Sequence, residues 1–455
     1  MTLRKLRYLI RAFCLFTLAS TACFAAMKAG VATAKITPAE LPFFLSGYAA
    51  RTKPADVVAQ DLFAKALALE GAGGKRAVLV TVDLIGIPRD LRDDIASDVQ
   101  AATGLDPQAL MLNCSHTHSG PAVRANLEIM FAFDEEHKAK TRRYRAFLRK
   151  SIAGAAREAL ARLQPAAVSY GVGEAGFAVD RRALRVKEAN PGSNPPATVD
   201  HTVPVLQVKG ADGKMLAVVF GYACHNTTLT GEFLEFSGDY AGHAQAALEA
   251  DYPGTTAMFL ALCGGDQNPF PRSRKELAVE HGDSLAKAVQ EALAQPLTPV
   301  EGQIRASFVA RMLPLAPRTR EDIEAERSHS DVFRRRRAEW VLARMAKGER
   351  VDAVDYPAQA LRIGDNFVLV AMGGEVVVDY GHRIKRSMPG KRVIVAGYSN
   401  DVMCYIPTLR ILREGGYEAD DSMIYYGQIG PFTEGVEEQV MEAVNAALKS
   451  VGLPE

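Results

Sequence analysis

Short apolar runs separated by a helical pattern dominate the start of the chain. Residues 75–87, KRAVLVTVDLIGI, predict a buried strand, and residues 109–115, ALMLNCS, predict a second one. Between them an apolar face recurs at helical spacing and stops before a glycine: Leu91, Ile95, Val99, Ala102 and then Gly104. A strand, a helix and a strand form a βαβ unit, so the two strands are expected to be parallel.

The rest of the chain continues this alternation and adds hairpins. Turn residues at 209–214 and 364–366 lie between apolar runs and predict two hairpins. Further strands are expected over 255–266 and 392–401, and helices are expected from Tyr144 to Leu163 and along a face with a spacing of four: Val436, Val440, Val444 and Leu448. The fold class predicted is α/β, a mixed sheet with flanking helices and an active site at the carboxyl ends of strands.

One domain is expected over residues 27–455, although 27–300 and 301–455 could form subdomains. The charged stretch at about 317–350 predicts a helical insertion. Its basic run, residues 334–337, lies among acidic residues and favours a solvated helix face over an anionic docking site.

The first 26 residues differ from the rest in composition. Four basic residues precede an apolar run, 12–26, that is too short to span a bilayer and ends in small residues. This pattern is typical of a secretory signal peptide, so we expect a secreted or periplasmic protein, with lipoprotein anchoring disfavoured.

Loss of the signal peptide would remove four positive charges and change the net charge from +1 to −3, which argues against a nucleic-acid partner. Four cysteines remain, and both buried packing and disulfides stay open for them: Cys114, Cys224, Cys263 and Cys404.

Polar residues appear abruptly where the apolar runs end. SHTHSGP, residues 115–121, follows the second strand, and an extended backbone would put His116 and His118 on one face about 7 Å apart. A histidine pair of this kind is either structural or half of a metal site. Other runs end in polar groups that would meet at the same edge: His225, Asp266, Asn268, Glu375, Asn400, Asp401 and Tyr405.

The chemistry of these groups indicates zinc. Neutral imidazoles and a carboxylate, with room for water, form a catalytic zinc sphere, in which the pKa of the bound water falls to about 7. The chain contains no HExxH, no HxHxDH, no GxSxG and no P-loop motif, which argues against several other hydrolase and nucleotide-binding classes.

Taken in order, the segments resemble the neutral/alkaline non-lysosomal ceramidase family. The resemblance covers nearly all of the chain after residue 26 and rests on these stretches: AGVATAKITPAE, SGYAAR, SHTHSGP, VDRRALRVKEANP, YACHNTTL, SGDYAG, GGDQNP, GGEVVVDYG, YSNDVMCYIPT and GGYEADDSMIYYG. It implies a zinc-dependent amidohydrolase acting on linear amides, in which zinc-bound hydroxide attacks an N-acyl carbonyl. By motif position the implied zinc ligands are His116, His225, Glu375 and Tyr405.

The same resemblance implies four residues that act on the substrate. His118 would transfer a proton, Arg181 and Asn268 would orient the substrate or stabilise the oxyanion, and Tyr417 corresponds to a family tyrosine. Asn268 stands where the family has a serine, and it can donate a hydrogen bond although it cannot act as a nucleophile. The chain ends at Glu455, soon after its last predicted helix, so the catalytic domain is expected without the family's C-terminal immunoglobulin-like domain.

The expected partner is a small-molecule or lipid N-acyl substrate, with peripheral membrane contact as a further expectation and sphingolipid metabolism as the setting. Two alternatives remain open. One is a zinc hydrolase of another ester or amide, such as an amino sugar or peptidoglycan fragment, although a single tryptophan, Trp340, gives carbohydrate stacking little support. The other is a non-catalytic periplasmic binding protein on the same fold.

Overall fold

The computed structural model describes residues 27–123, 127–190, 192–193 and 196–454, so the predicted signal peptide at 1–26 lies outside the described residues. The strands are β1 (Lys28–Lys35), β2 (Val57–Val58), β3 (Phe63–Glu70), β4 (Arg76–Val82), β5 (Leu110–Cys114), β6 (Gln164–Glu174), β7 (Ala178–Asp180), β8 (Thr202–Gly210), β9 (Met215–Tyr222), β10 (Glu235–Phe236), β11 (Thr256–Ala261), β12 (Gln267–Pro269), β13 (Thr298–Pro299), β14 (Ile304–Pro314), β15 (Ala353–Ile363), β16 (Phe367–Met372), β17 (Glu375–Val376), β18 (Arg392–Ala396) and β19 (Tyr405–Ile406). The α-helices are α1 (Arg89–Thr103), α2 (Glu135–Ala161), α3 (Arg181–Ala189), α4 (Asp239–Asp251), α5 (Lys275–Leu293), α6 (Arg320–Ala325), α7 (Val332–Ala346), α8 (Val378–Ser387), α9 (Leu409–Glu414) and α10 (Val436–Ser450).

The larger sheet has the strand order β11-β9-β8-β6-β1-β3-β4-β5, with β13 paired to β6. Strands β4 and β5 are parallel, with Val78 opposite Leu110, and α1 connects them, so the predicted βαβ unit is confirmed. Helix α1 ends where Gly104 adopts a left-handed φ of 68°. The predicted hairpin of β8 and β9 is also confirmed. The mixture of parallel and antiparallel pairs agrees with the predicted fold class.

The smaller sheet has the order β14-β15-β16-β18. Its antiparallel β15–β16 pair turns at residues 364–366, as the turn residues predict, and β18 is parallel to β16. Helix α10 packs its predicted apolar face on this sheet, and Val440 and Val444 have no exposed surface. One apolar core contains residues of both sheets, among them Leu361, Leu369 and Ile394 of the smaller sheet, and a second core covers that sheet's other face.

Asn113 connects the two sheets at the carboxyl ends of their strands. Its fully buried amide donates to the Ala261 and Gly397 carbonyls at 3.2 and 2.8 Å and accepts from the Ala261 N–H at 2.9 Å. Because Ala261 ends β11 and Gly397 follows β18, one side chain holds the ends of β5, β11 and β18 together. The site described below lies at this edge.

The charged stretch 317–350 contains α6 and α7, and its basic run is not simply a solvated face. Arg337 is buried and donates to the Glu326 carboxylate from its Nε at 3.1 Å. Arg336 donates to the carbonyls of Ile129 and Met130 at 3.3 and 3.2 Å. The solvated-face prediction is therefore wrong for these two arginines, because Arg337 is buried against Glu326 of the same stretch and Arg336 bonds to carbonyls of a distant segment.

The four cysteines of the described chain are free thiols, and all are buried. Burial raises the pKa of each, so they pack as small apolar side chains. None of the helices within the described ranges combines the length and apolarity needed to cross a bilayer.

Candidate metal centre

The SHTHSGP segment leaves β5 in a turn rather than as an extended strand. His116 has a φ of 58°, in the left-handed region, so the predicted strand-like alternation over residues 113–118 is wrong. The two imidazoles still come together, because the turn brings His118 Nε2 within 3.2 Å of His116 Nε2. Both side chains are buried.

His225 and Glu375 approach the same point from two other strand ends. His225 follows β9, and its Nε2 lies 2.9 Å from Glu375 Oε2. The same carboxylate oxygen lies 3.1 Å from His116 Nε2. The imidazoles of His116, His118 and His225 form a group whose ligand atoms are within 4.8 Å of one another.

Tyr405 reaches the group through the parallel pairing of β17 and β19, in which it stands directly opposite Glu375. Its hydroxyl lies 3.1 Å from His225 Nε2. The predicted zinc ligands His116, His225, Glu375 and Tyr405, which are spread over nearly 300 residues of sequence, therefore lie at one place in the fold.

The orientation of the histidine rings shows which atoms are free to bind a cation. His116 Nδ1 lies 2.7 Å from the Ile85 carbonyl, and His225 Nδ1 lies 2.8 Å from the Gly264 carbonyl. Because a carbonyl only accepts, each Nδ1 carries the proton and each Nε2 presents a lone pair. Each Nε2 lone pair lies about 3 Å from the negatively charged Glu375 Oε2, and the two repel each other unless a cation lies between them.

The donor set fits a metal ion. Tetrahedral zinc with bonds of about 2.0–2.1 Å places its ligand atoms about 3.3 Å apart, close to the 2.9 and 3.1 Å separations at Glu375 Oε2. Imidazole nitrogen and carboxylate oxygen are ligands that zinc accepts. The arrangement can therefore hold a metal.

The protonation of the group is consistent with cation binding. Burial, together with the charge of Arg181, lowers the pKa of His225 to about 4. Burial would raise the pKa of Glu375, but His116 and His225 outweigh it and lower the pKa well below its usual value. At neutral pH the site therefore offers neutral His225 and an ionised carboxylate.

His118 is held from its outer side by residues that the sequence analysis did not single out. The Tyr48 ring lies 4.8 Å from the imidazole, and Arg51 donates to the His118 carbonyl. The Nδ1 atom of His118 has no hydrogen-bond partner among the described residues. Burial and the neighbouring imidazoles lower the pKa of His118, so it is a neutral base at neutral pH.

Arg181 and Tyr417 lie beside the ligand group, as the resemblance implies. The Arg181 guanidinium is 5.4 Å from the Tyr405 ring and 5.6 Å from the Tyr417 ring, and its Nη1 is 3.4 Å from His225 Nε2. Its Nε donates to Glu418 at 2.6 Å. The Nη2 atom is buried and, within the part of the chain that the structure describes, has no partner.

Asn268 lies in β12, which pairs with β7 just before Arg181. The preceding Gln267 carbonyl accepts from the His225 N–H at 3.0 Å, so β12 is tied directly to the ligand loop. The Asn268 Oδ1 atom is buried and makes no hydrogen bond to the described residues. Asp266, predicted to lie near the site, accepts from the Val378 N–H at 2.9 Å instead, and burial raises its pKa to about 7.

Three further residues complete the surroundings and were not predicted individually. The Tyr426 hydroxyl donates to Glu375 Oε1, the carboxylate oxygen that faces away from the histidines. The Tyr398 ring packs 4.3 Å from the His116 ring, and Glu418 pairs with Arg181. Tyr426 and Glu418 fall in the GGYEADDSMIYYG stretch, but nothing in the local pattern indicates their distant partners.

Comparisons with known proteins agree with this fold. A family model described as neutral/alkaline non-lysosomal ceramidase, N-terminal, matches residues 27–294. A neutral ceramidase from Pseudomonas aeruginosa is 28% identical over 252 residues, a region that covers 53% of this chain and 36% of that relative. The match thus spans little more than a third of the relative's length.

Two solved structures share the fold. A ceramidase complexed with C2 superposes with a TM-score of 0.72 at 19% identity, over 94% of this chain and 76% of that one. The crystal structure of neutral ceramidase from Pseudomonas aeruginosa gives 0.71 at 22% identity, over 94% and 75%. At these identities the likeness shows the architecture, and the α/β mixed-sheet prediction is confirmed.

Proposed function

The chain belongs to the neutral/alkaline non-lysosomal ceramidase family, and we propose that it is a zinc-dependent hydrolase that cleaves the amide bond of an N-acyl substrate. One observation carries the proposal: the Nε2 atoms of His116 and His225 converge with Glu375 on a single point, while the Nδ1 atom of each ring bonds to a backbone carbonyl. Such a constellation is costly to bury without a cation, and no apolar packing role accounts for it.

His116, His225, Glu375 and Tyr405 are the residues that would hold the zinc. When bound there, the ion would act as a Lewis acid and supply hydroxide near neutral pH. The hydrogen bonds to Ile85, Gly264 and Tyr426 would keep the ligands in place.

The remaining predicted residues have the chemistry that amide hydrolysis needs. His118 is neutral at neutral pH and its Nδ1 is free, so it can accept a proton and return it to the leaving nitrogen. The free Nη2 of Arg181 can donate to the oxygen on which negative charge develops. Asn268 can donate from its amide to the same oxygen or to the substrate, and its free Oδ1 can accept from a substrate N–H.

An apolar cluster beside the site favours a fatty acyl chain over a sugar. Ile85, Leu127 and Met130 are buried together, and Phe131 and Tyr426 pack against them. This cluster touches the ligand group at two points, because the Ile85 carbonyl bonds to His116 and Tyr426 bonds to Glu375. A carbohydrate would instead require polar groups on this side.

Export through the signal peptide at residues 1–26 is also part of the proposal, and N-terminal sequencing of the exported protein tests it.

Turnover of N-acyl substrates by the zinc-loaded protein tests the function. The purified chain is incubated with a fluorogenic N-acyl amide, with ceramide and with matched esters, and release of the amine or alcohol is measured. We expect amide cleavage that chelation abolishes and zinc restores. Bound zinc with no turnover of any amide or ester would refute the hydrolase proposal and favour a binding protein.

A further inference from the structure

A second cavity, distinct from the apolar cluster, opens beside Tyr417. It measures about 370 Å³ and lies between α3 and the segment that follows α9. Its charged wall contains three arginines and two carboxylates: Arg182, Arg185, Arg410, Asp180 and Glu414. Tyr417 forms the side nearest the metal centre.

The acidic groups around this cavity are already occupied. Glu414 accepts from Arg182 and from Arg410 at 3.0 Å each. The Asp180 carboxylate accepts three backbone N–H groups, those of Arg182, Ala183 and Thr198, at 2.9–3.0 Å. These carboxylates therefore have little capacity left for a further cation.

Within the part of the chain that the structure describes, Arg185 is the arginine of this wall whose guanidinium makes no close ion pair. Its one ion-pair distance is 3.9 Å, to Glu418 Oε1, and that carboxylate already bonds to Arg181 and Arg182 at 2.6 and 2.7 Å. The Arg185 guanidinium lies 5.9 Å from the Tyr417 ring, and its side chain is 52% exposed. A guanidinium in this position favours a planar anion that it can bind with two N–H donors.

The cavity and the apolar cluster each adjoin Tyr405 through a neighbouring tyrosine ring. The Tyr405 ring is 5.5 Å from the Tyr417 ring, which borders the cavity. It is 6.5 Å from the ring of Tyr426, which packs on the apolar cluster. A linear amide whose carbonyl lies at the metal centre has the apolar cluster near it for its acyl chain and the cavity near it for its amine portion.

We propose that the Arg185 cavity binds a carboxylate on the amine portion of the substrate, so that the preferred substrates are N-acyl amino acids. The proposal rests on the amide hydrolase function proposed above. In the reaction the oxygen of water joins the acyl carbon, the carbon–nitrogen bond breaks, and a proton passes to the nitrogen. The products are a fatty acid and a free amino acid.

Two substrates with the same acyl chain test the proposal. The ratio of kcat/KM for N-lauroylglycine to that for N-lauroylethanolamide is measured for the wild type, Arg185→Ala and Lys187→Ala. Lys187 is a matched control, because it is an exposed cation on the same helix and does not line the cavity. We expect a wild-type preference for the glycine amide and a roughly five- to tenfold fall in the ratio for Arg185→Ala, mainly through KM, as one partly exposed charge contact predicts. The ratio for Lys187→Ala stays at the wild-type value.

The outcomes separate this proposal from the proposed function. Equal kcat/KM values for both amides, with the ratio unchanged in Arg185→Ala, would refute the carboxylate site and leave the hydrolase intact. If neither amide were cleaved, turnover of ceramide, the fluorogenic amide and the esters would decide the hydrolase proposal, and calorimetric titration of N-lauroylglycine into the wild type and Arg185→Ala would decide whether the cavity binds the carboxylate. Weaker binding to the variant supports the site, and equal binding rejects it. A wild-type preference for a taurine amide over the glycine amide would reject a carboxylate in favour of a sulfonate.

Discussion

Replacing Tyr426 with phenylalanine removes one hydroxyl and leaves the ring that packs on the apolar cluster. The lost group donates to Glu375 Oε1, while Oε2 of the same carboxylate faces His116 and His225. Burial, and then the charge of Glu375, raises the pKa of Tyr426, so the phenol stays protonated and acts as the donor. A hydrogen bond to a buried carboxylate contributes about 2 kcal/mol, which corresponds to a roughly 30-fold weaker binding of zinc. Losses of about 10- to 100-fold are typical when a group that orients a ligand is removed.

Competition with a chromophoric chelator measures this loss directly. The zinc Kd of Tyr426→Phe is compared with that of the wild type and of Tyr425→Phe. Tyr425 is the adjacent tyrosine, and its ring packs 5.3 Å from Phe333. We expect Tyr425→Phe to bind zinc like the wild type. A zinc Kd for Tyr426→Phe within about twofold of the wild-type value would refute the claim that this hydroxyl fixes the carboxylate.

Three further predictions concern the surroundings of the site. A Cβ at Gly47 would lie 2.4 Å from His118 Nδ1, so Gly47→Ala should lower turnover at least about tenfold while zinc is retained. Gly73→Ala is the control, because Gly73 also has a positive φ but a Cβ there would meet open space, and it should keep its turnover. Equal turnover in the two variants would contradict this. Glu418→Gln leaves the buried Arg181 without its carboxylate and should destabilise the protein by about 3 kcal/mol in urea unfolding at pH 7. Burial raises the pKa of Glu418, but Arg181 and Arg182 lower it to about 2, below the ordinary 4.5. The stability that Glu418 contributes is therefore complete above pH 4.5 and is lost as the pH falls through 2. An unchanged difference in stability between the wild type and the variant at the lowest pH would contradict this. Arg336→Ala removes the hydrogen bonds to the Ile129 and Met130 carbonyls and should raise KM for long acyl chains more than it lowers kcat. Arg335 bonds to nearby carbonyls, those of His329 and Ser330, so Arg335→Ala should leave this KM unchanged. Identical KM values in the two variants would argue against a role for α7.

Local periodicity was sufficient to predict the elements that frame the site. The β4–α1–β5 unit, the hairpin at residues 364–366 and the apolar face of α10 depend on spacings of two or of three to four residues, which are visible in any short window. The polar residues that follow the strands could also be found, because a strand end changes abruptly from apolar to polar.

The details that depend on distant partners could not be predicted in this way. His116 adopts a left-handed backbone, which strand alternation does not anticipate, and its ring packs on Tyr398, 282 residues later. Tyr426 matters because it meets Glu375, and Arg337 is buried because Glu326 folds back onto it. In each case the residue type is compatible with several roles, and the tertiary contact decides between them.

Zinc titration of the metal-stripped protein, followed by mass spectrometry of the retained metal, tests the metal centre most directly. Zinc is added to the wild type and to His225→Ala, and turnover of an N-acyl amide is measured on the same samples. The geometry predicts one zinc per wild-type chain and neither tight zinc binding nor turnover in the variant, because His225 Nε2 is central to the ligand group. A wild type that retains no zinc, or a His225→Ala protein that keeps both zinc and full turnover, would contradict the assignment of these residues as a metal centre.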